Sequence, residues 1–254
     1  SPGLMAPCVE HLISTDPGTS IVADDRGRPV AFGILMCRGA QGFLSFLFVR
    51  PEWQGRGLGR AVLDACLHEA PVQRLATCAD AVQPISAGLY ASLGWAPRAP
   101  IYVMSGSVDV ERLPALDGDL DAEPLGEMSV DRLDRQVLGY ERPGDHAFWV
   151  REGRRGWVFR AGGELRGYGY TLPDGRIGPV LAQEPKTLPA MLGHLIGSIP
   201  TAETQRCLVP GPAIDALKAA LRAGLRIDGS PSIYCADHEP PLFDRYLPMS
   251  TAHL

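Results

Sequence analysis

A short segment rich in glycine and arginine carries the residues of this chain that are best placed to do chemistry. It follows the apolar run 43–49 and consists of Gln54, Gly55, Arg56, Gly57, Leu58, Gly59 and Arg60. The first four N–H groups of a helix have no partner within it, and the helix dipole adds partial positive charge there. Glycine keeps side chains away from these amides. Because a helical pattern begins at Leu58, the segment predicts an anion site built mainly from backbone amides.

Two other glycine-rich loops match this segment only in part. A P-loop requires G-K-S/T at the helix start, where this chain has G-R-A, so that loop is excluded. The dinucleotide fingerprint G-x-G-x-x-G is matched at Gly55 and Gly57 but requires glycine in place of Arg60. Asp80 stands about twenty residues further on, at the usual distance of a ribose-binding acid, which keeps dinucleotide binding as an alternative.

A third pattern, Q/R-x-x-G-x-G/A, is matched at every position by Gln54, Gly57 and Gly59. It resembles the acyl-CoA loop of the GNAT (GCN5-related N-acetyltransferase) superfamily. The order of elements over residues 18–104 resembles that family too, with a hairpin at 20–36, a strand at 43–49, the loop and its helix, a strand at 74–78 and a helix at 84–93. The resemblance implies an α/β fold with a mixed sheet, and acetyl-CoA as the cosubstrate.

The resemblance also implies roles for individual residues. Backbone groups near Phe48 and Val49 should hydrogen-bond the pantetheine arm, and a strand amide should stabilise the oxyanion. The pyrophosphate should be held by the loop residues Gly55, Arg56, Gly57, Leu58, Gly59 and Arg60. Tyr90, on the helix at 84–93, is the candidate general acid toward the leaving thiolate.

The general base is harder to assign. Many relatives carry a glutamate on the strand before the loop, but the run 43–49 contains no carboxylate, and its only polar side chain is Ser45. Asp80 is the tentative base, although an aspartate at this position more often serves in a turn or at a helix start. A water wire or a carboxylate of the second domain would also serve as the base. Cys78 is interpreted as a small residue of a strand rather than as a nucleophile.

The chain repeats itself at an offset of about 130 residues. The segment 27–33 is echoed by 163–169 at an offset of 136, and beyond this hairpin the offset settles near 130, where Gly94 corresponds to Gly224. The counterparts of Gln54, Gly57, Gly59, Arg60 and Tyr90 are, in that order, Glu184, Thr187, Pro189, Ala190 and Ala220. These replacements add a negative charge, restore a β-branched side chain and remove a backbone N–H. The second copy is therefore predicted not to bind acyl-CoA.

The predicted organisation is two tandem GNAT-like domains. Residues 1–108 form the domain with the intact loop, 109–120 an acidic linker, and 121–254 the degenerate domain. The second copy starts with a strand and a helix that have no equivalent in the first. The first domain is therefore predicted to lack the family's N-terminal β1 and part of α1, by truncation or omission of a segment.

The amino-acid composition limits which cellular environment and which partners are expected. With 45% hydrophobic and 21% charged residues and a net charge of −5, the chain is globular and shows no basic stripe for nucleic acid. The six cysteines lack C-x-x-C spacing, which favours a reducing compartment, and no apolar run suggests a membrane span. A cytoplasmic protein without a metal is expected. The polar cluster 140–146 is a candidate acceptor site, with a solvated connection as the alternative.

The leading hypothesis from the sequence is a GNAT-type N-acetyltransferase. It would move an acetyl group from acetyl-CoA to an amine of a small molecule or peptide, as a monomer or homodimer. A non-catalytic acyl-CoA-binding or regulatory module is the alternative, favoured by the missing strand carboxylate. A scaffold that binds no nucleotide is a third possibility, but it leaves the intact loop unexplained.

Overall fold

A computed structural model of the chain describes residues 2–116, 118–199 and 202–254. The helices are α1 (Pro2–Thr15), α2 (Leu58–His68), α3 (Pro84–Ser92), α4 (Asp131–Val137), α5 (Pro143–Arg151), α6 (Leu188–Gly197) and α7 (Ile214–Arg222). The strands are β1 (Ser20–Asp25), β2 (Arg28–Arg38), β3 (Gln41–Val49), β4 (Arg74–Asp80), β5 (Ala96–Gly106), β6 (Leu120–Pro124), β7 (Arg155–Ala161), β8 (Glu164–Thr171), β9 (Ile177–Ala182), β10 (Gln205–Pro210), β11 (Arg226–Ile227), β12 (Ser232–Ala236) and β13 (Tyr246–Leu247). Helices and strands are interspersed along the chain, as expected for the mixed α/β class. Within the described residues, no helix is long and apolar enough to span a membrane.

The chain divides into two compact units. The first contains the residues up to Arg98 together with Tyr234–Glu239 and His253, and the second contains the remainder. The segment Tyr234–Glu239 therefore belongs to the first unit, although the sequence interpretation assigns it to the second domain. The reason is strand pairing, because β12 lies beside β4 and the Asp237 amide donates to the carbonyl of Leu75 at 3.1 Å.

The first unit is built on a sheet in which β1, β2 and β3 are antiparallel and β4 runs parallel to β3. Opposite Ile34 and Leu35 of β2, β3 presents Phe46 and Leu44, so Ser45 is an extra residue that forms a β-bulge. The parallel pairing of β3 with β4 covers Gln41–Leu44 and ends there. Beyond Leu44 the two strands separate, which leaves an open slot between them.

Helix α2 covers one face of this sheet and approaches it closely at a glycine. A Cβ atom on Gly33 would lie 2.9 Å from Sγ of Cys66 and 3.0 Å from Cγ1 of Val62. The apolar side of α2 is buried through Val62, Leu63 and Cys66. Glycine at position 33 therefore sets how near the helix can lie to β2 and β3, and with it the position of the helix start.

The second unit repeats the order of elements. Its antiparallel sheet has the strand order β13-β9-β8-β7-β6, and β10 pairs with the part of β5 that belongs to this unit. The series β7, β8, β9, α6, β10, α7 corresponds to β1, β2, β3, α2, β4, α3 of the first unit. Gly94 and Gly224 follow equivalent helices with φ of 81° and 111°. The tandem arrangement seen in the sequence is thus present in the element order.

Candidate functional site

A cavity of about 510 Å³ lies in the first unit where β3 and β4 separate. Its walls come from the second half of β3, the end of β4 and one side of α3. The predicted site residues among its lining are Phe48, Val49, Gln54, Gly59, Asp80 and Tyr90. The other predicted loop residues, which are Gly55, Arg56, Gly57, Leu58 and Arg60, belong to the same turn and helix start. The fold thus gathers residues more than forty positions apart around one slot.

The backbone of the loop adopts conformations that require glycine. Gly55 and Gly57 have φ of 72° and 78°, in the left-handed region, and a Cβ on either would have no atom within 4 Å. Gly57 is the N-cap of α2, and its carbonyl accepts the amide of Ala61 at 3.0 Å. No side chain caps this helix start. The amides of the first turn therefore have no capping side chain, which fits an anion site.

The side chains of the loop have defined neighbours. Gln54 donates from Nε2 to the carbonyl of Val49 at 3.0 Å, which ties the loop to the end of β3. The guanidinium of Arg56 lies 5.4 Å from the centre of the Trp53 ring. Arg60 forms an exposed ion pair with Asp64 one turn later, with its Nε 2.8 Å from the carboxylate. Arg56 is thus the loop cation with no carboxylate partner among the described residues.

Tyr90 lies at the inner wall of the cavity and is 6% exposed. Its ring stacks on Trp95, with centroids 5.6 Å apart. Burial raises the pKa of Tyr90 above its ordinary value, against the smaller lowering effect of a hydrogen bond with Thr77. The phenol therefore carries its proton at neutral pH, which is the form that can donate to a leaving group.

The other reactive side chains of this wall stand near the end of β4. The Asp80 carboxylate accepts the backbone amide of Val82 at 3.1 Å, and the Asp80 carbonyl accepts that of Gln83 at 3.0 Å. These are the contacts of a turn-forming aspartate, although its side chain also reaches the cavity. Burial raises the pKa of the Cys78 thiol, which keeps it protonated and a poor nucleophile.

Two features of the site have no assignment from the sequence. The bulge at Ser45 interrupts β3 at the point where the slot opens. Leu44 and Thr77 are the last paired residues of β3 and β4, and the Thr77 hydroxyl donates to the carbonyl of Leu44 at 2.8 Å. The signal in the sequence is Ser45 itself, as the only polar residue of the run 43–49. A polar residue inside an apolar strand is compatible with a bulge, but sequence alone does not tell which backbone groups it frees.

The corresponding slot in the second unit is filled by the chain itself. There β9 occupies the place of β3, and its edge is paired with β13, with Tyr246 opposite Leu181 and Leu247 opposite Val180. The amide of Ala182 also donates to the carbonyl of Arg245 at 2.9 Å. Tyr246 and Leu247 are fully buried. The strand edge that is open in the first unit is therefore already satisfied in the second.

The replaced loop residues of the second unit agree with this difference. Glu184 forms an exposed ion pair with Lys186, and Pro189 stands in the first turn of α6 where it contributes no N–H. Ala190 and Ala220 are buried in the core of the unit. The second unit thus presents neither an open helix start with glycines nor a tyrosine at the position equivalent to Tyr90.

The polar cluster 140–146 contributes to a buried network of the second unit, in which Arg142 and His146 make the central contacts. Arg142 is fully buried and donates to Asp134 at 3.2 Å and to Tyr168 at 2.7 Å. His146 lies with Nε2 2.7 Å from Asp134 and Nδ1 2.8 Å from the hydroxyl of Tyr170. Burial would raise the pKa of Asp134, but Arg142, His146 and Tyr168 together lower it. The network connects α4, α5 and β8, and these contacts are those of a structural role.

One group of possible metal ligands overlaps this network. Asp131, Asp134 and His146 offer ligand atoms within 4.8 Å of one another. The carboxylate of Asp134 is already neutralised by Arg142, and its contact with His146 uses the ring nitrogen that a metal would need. The donor set therefore fits an ion pair and hydrogen bonds better than a divalent cation.

Comparison with known proteins agrees with this geometry. Residues 16–97 match the family model of the acetyltransferase (GNAT) domain. A proposed acetyltransferase from Pyrococcus horikoshii is 17% identical with a TM-score of 0.80, over 100% of this chain and 86% of that one. A GCN5-related N-acetyltransferase from Sphaerobacter thermophilus is 16% identical with a TM-score of 0.56, over 83% and 77% of the two chains. A tandem GNAT protein from the clavulanic acid biosynthesis pathway is 18% identical with a TM-score of 0.51, over 85% and 81%. At these identities the solved structures show a shared fold. A search of curated proteins found no match to the sequence.

Proposed function

Residues 16–97 form a domain of the GNAT acetyltransferase family, and we propose that this domain moves an acetyl group from acetyl-CoA to an amine of a small molecule or peptide. The observation that carries the proposal is the slot between β3 and β4, which opens beside the glycine loop at the start of α2. A cofactor with an extended arm and a pyrophosphate needs both features side by side. The first unit has both, and in the second unit the slot is filled by β13.

The cosubstrate is held mainly by backbone groups. The pantetheine arm lies along the open edge of β3 near Phe48 and Val49 and hydrogen-bonds there as a further strand would. The pyrophosphate lies against the amides from Gly55 to Arg60, where the helix dipole and Arg56 favour negative charge. Gln54 holds the loop to β3 and so keeps the two binding regions in register.

The reaction transfers the acetyl group directly. The nitrogen lone pair of the amine attacks the thioester carbonyl, and an amide of β3 beside the bulge stabilises the oxyanion. The C–S bond then breaks, its electron pair goes to sulfur, and Tyr90 donates the proton that converts the thiolate into the thiol of CoA. The amine loses one proton to water or to Asp80, and that proton restores Tyr90. The products are the N-acetyl amine and free CoA.

Calorimetric titration with acetyl-CoA, combined with a thiol assay for CoA release from a panel of primary amines, tests this function. The expected result is one cofactor per chain and release of CoA with at least one amine. An Arg56→Glu, Gly57→Val double variant should lose both, whereas Lys186→Glu, which changes an exposed residue of the equivalent turn in the second unit, should keep both. Equal affinity in the two variants, or two cofactors per chain, contradicts the assignment.

A non-catalytic acyl-CoA-binding module is the second candidate. The observation in its favour is that β3 carries no carboxylate and that Asp80 forms turn contacts. The same pair of measurements separates the two functions, because a binding module takes up one acetyl-CoA and releases no CoA with any amine.

The proposed setting is the cytoplasm, where acyl-CoA is available. The net charge of −5 supports a small amine rather than nucleic acid as the partner. We expect a monomer or homodimer, which sedimentation of the purified protein would determine.

A further inference from the structure

Three phenylalanine rings form an apolar cluster beside the candidate slot. The rings of Phe32 and Phe48 have centroids 5.2 Å apart, and that of Phe46 lies 6.5 Å from Phe32 and 6.2 Å from Phe48. Phe48 is 55% exposed, although a ring of this size is usually buried. Phe46 and Phe48 both line the cavity. The cluster of these three rings, called the phenylalanine platform below, thus presents the exposed ring of Phe48 to a molecule that enters the slot, with Phe32 and the buried Phe46 packed against it.

The platform lies on the side of the sheet that faces away from α2. Leu47 points toward α2, since a Cβ on Gly33 would touch Leu47 at 3.6 Å as well as Cys66 of that helix. Side chains alternate along a strand, so Phe46 and Phe48 point to the opposite side. Helix α2 therefore covers one face of the sheet at the slot, and the platform lies on the opposite face, where Phe46 and Phe48 form part of the cavity wall.

The slot offers little help in removing a proton from the acceptor. Among the described residues that line the cavity, Asp80 is the only charged one, and its carboxylate is engaged by the amide of Val82. The other titratable groups along its walls are Cys78 and Tyr90, and burial raises the pKa of both. An amine that arrives already uncharged therefore reacts most easily, because its lone pair is available without a base.

The amount of uncharged amine depends strongly on amine type. An alkyl amine of the lysine type has a pKa of about 10.4, whereas an α-amino group has one of about 7.7–8.0. At pH 7.5 the uncharged fraction is therefore roughly 200–300-fold larger for the α-amino type. An apolar wall also disfavours a charged ammonium group, because removing it from water is costly.

We infer that the acceptor is a weakly basic amine, of the α-amino type or weaker, attached to an aromatic or apolar group that packs on the phenylalanine platform. The inference rests on the proposed acetyltransferase function and specifies its substrate class. An N-terminal hydrophobic residue of a peptide and a hydrophobic amino acid amide both have this chemistry. Polyamines and lysine side chains do not.

The first experiment compares four amines at saturating acetyl-CoA and pH 7.5, with CoA release as the readout. They are phenylalaninamide, alaninamide, 2-phenylethylamine and spermidine. Phenylalaninamide should exceed 2-phenylethylamine in kcat/KM by about 100-fold, and the gap should narrow as the pH is raised, because the alkyl amine loses its proton. It should exceed alaninamide by at least about tenfold, as expected for burial of an aromatic ring.

The second experiment removes part of the platform. Phe32→Ala should lower the ratio of kcat/KM between phenylalaninamide and alaninamide by at least about fivefold, because the Phe32 ring packs against that of Phe48 and supports it. Ile13→Ala removes an exposed apolar side chain of α1 that does not line the cavity, and it should keep the wild-type ratio. Titration with acetyl-CoA in each variant verifies that the slot is intact.

The outcomes separate this inference from the function on which it rests. Use of spermidine or 2-phenylethylamine at pH 7.5 as efficiently as phenylalaninamide overturns the inference and leaves the acetyltransferase standing. An unchanged ratio in Phe32→Ala also overturns it. Absence of CoA release with every amine, although acetyl-CoA binds, overturns both.

Discussion

Replacing Gly57 by alanine isolates the contribution of the loop backbone. Gly57 has φ of 78°, and Gly27, in the turn between β1 and β2, has φ of 83°; an added Cβ has no atom within 4 Å at either position. The two substitutions therefore impose the same backbone penalty without a steric clash. For a non-glycine residue this left-handed conformation costs about 1–2 kcal/mol.

We expect the penalty to appear in the folding equilibrium at Gly27 and in the acetyl-CoA binding equilibrium at Gly57. In the hairpin, the pairing of β1 with β2 would hold the substituted residue in the left-handed conformation, so Gly27→Ala should lower the free energy of unfolding by about 1–2 kcal/mol. The loop at Gly57 is exposed and can relax in the free protein, which moves the penalty to the bound state. Acetyl-CoA binding must then restore the left-handed conformation, and a penalty of about 1–2 kcal/mol weakens Kd by roughly 5–30-fold.

Titration calorimetry with acetyl-CoA and urea unfolding followed by circular dichroism measure the two effects separately. We expect Gly27→Ala to keep the wild-type Kd and lose stability, and Gly57→Ala to lose affinity by at least about fivefold. If both variants bind acetyl-CoA with the wild-type Kd, the amides that follow Gly57 do not hold the cofactor, and the anion-site argument fails.

Two further predictions concern the proposed acid and the buried network of the second unit. Tyr90→Phe should lower kcat on the order of 100-fold or more with Kd for acetyl-CoA unchanged, as expected for loss of a general acid; a decrease of only a few-fold would argue against that role. The pKa of Tyr90 is raised, and a general acid acts in its protonated form. The kcat of the wild-type protein should therefore not fall through ionisation of Tyr90 until the pH exceeds the ordinary tyrosine pKa of about 10. Asp134→Asn leaves the fully buried Arg142 without its counter-charge and should cost about 3–5 kcal/mol of unfolding free energy at pH 7. The pKa of Asp134 is lowered in the folded state, so its contribution is complete above the unfolded value of about 3.9 and lost as the pH falls through the folded value. Urea unfolding at pH 7 and pH 3.5 should show the wild-type advantage shrinking at the lower pH, and a difference that does not depend on pH would exclude this account.

Much of the first unit could be anticipated because its signals are local. The left-handed backbone at Gly55 and Gly57 favours glycine, and the helix that follows needs an apolar face against the sheet. Both signals therefore lie within a few consecutive residues of the sequence. The match of residues 16–97 to the GNAT model confirms the family assignment made from this window and its context. The roles of Tyr90 and Asp80 stay predictions, although the structure places both on the slot.

The amino-acid sequence by itself determined which half of the chain has glycines before a helix start and which half has a proline there, because glycine and proline act on their own backbone wherever the chain folds. Only the tertiary structure decided that β3 and β4 separate after Leu44, that β13 fills the equivalent edge of β9, and that Tyr234–Glu239 joins the first unit. These features depend on which strand edges meet. Strand pairing joins residues that are far apart in the chain. An apolar strand pattern indicates which face of a strand is buried, but it does not indicate which other strand pairs with it.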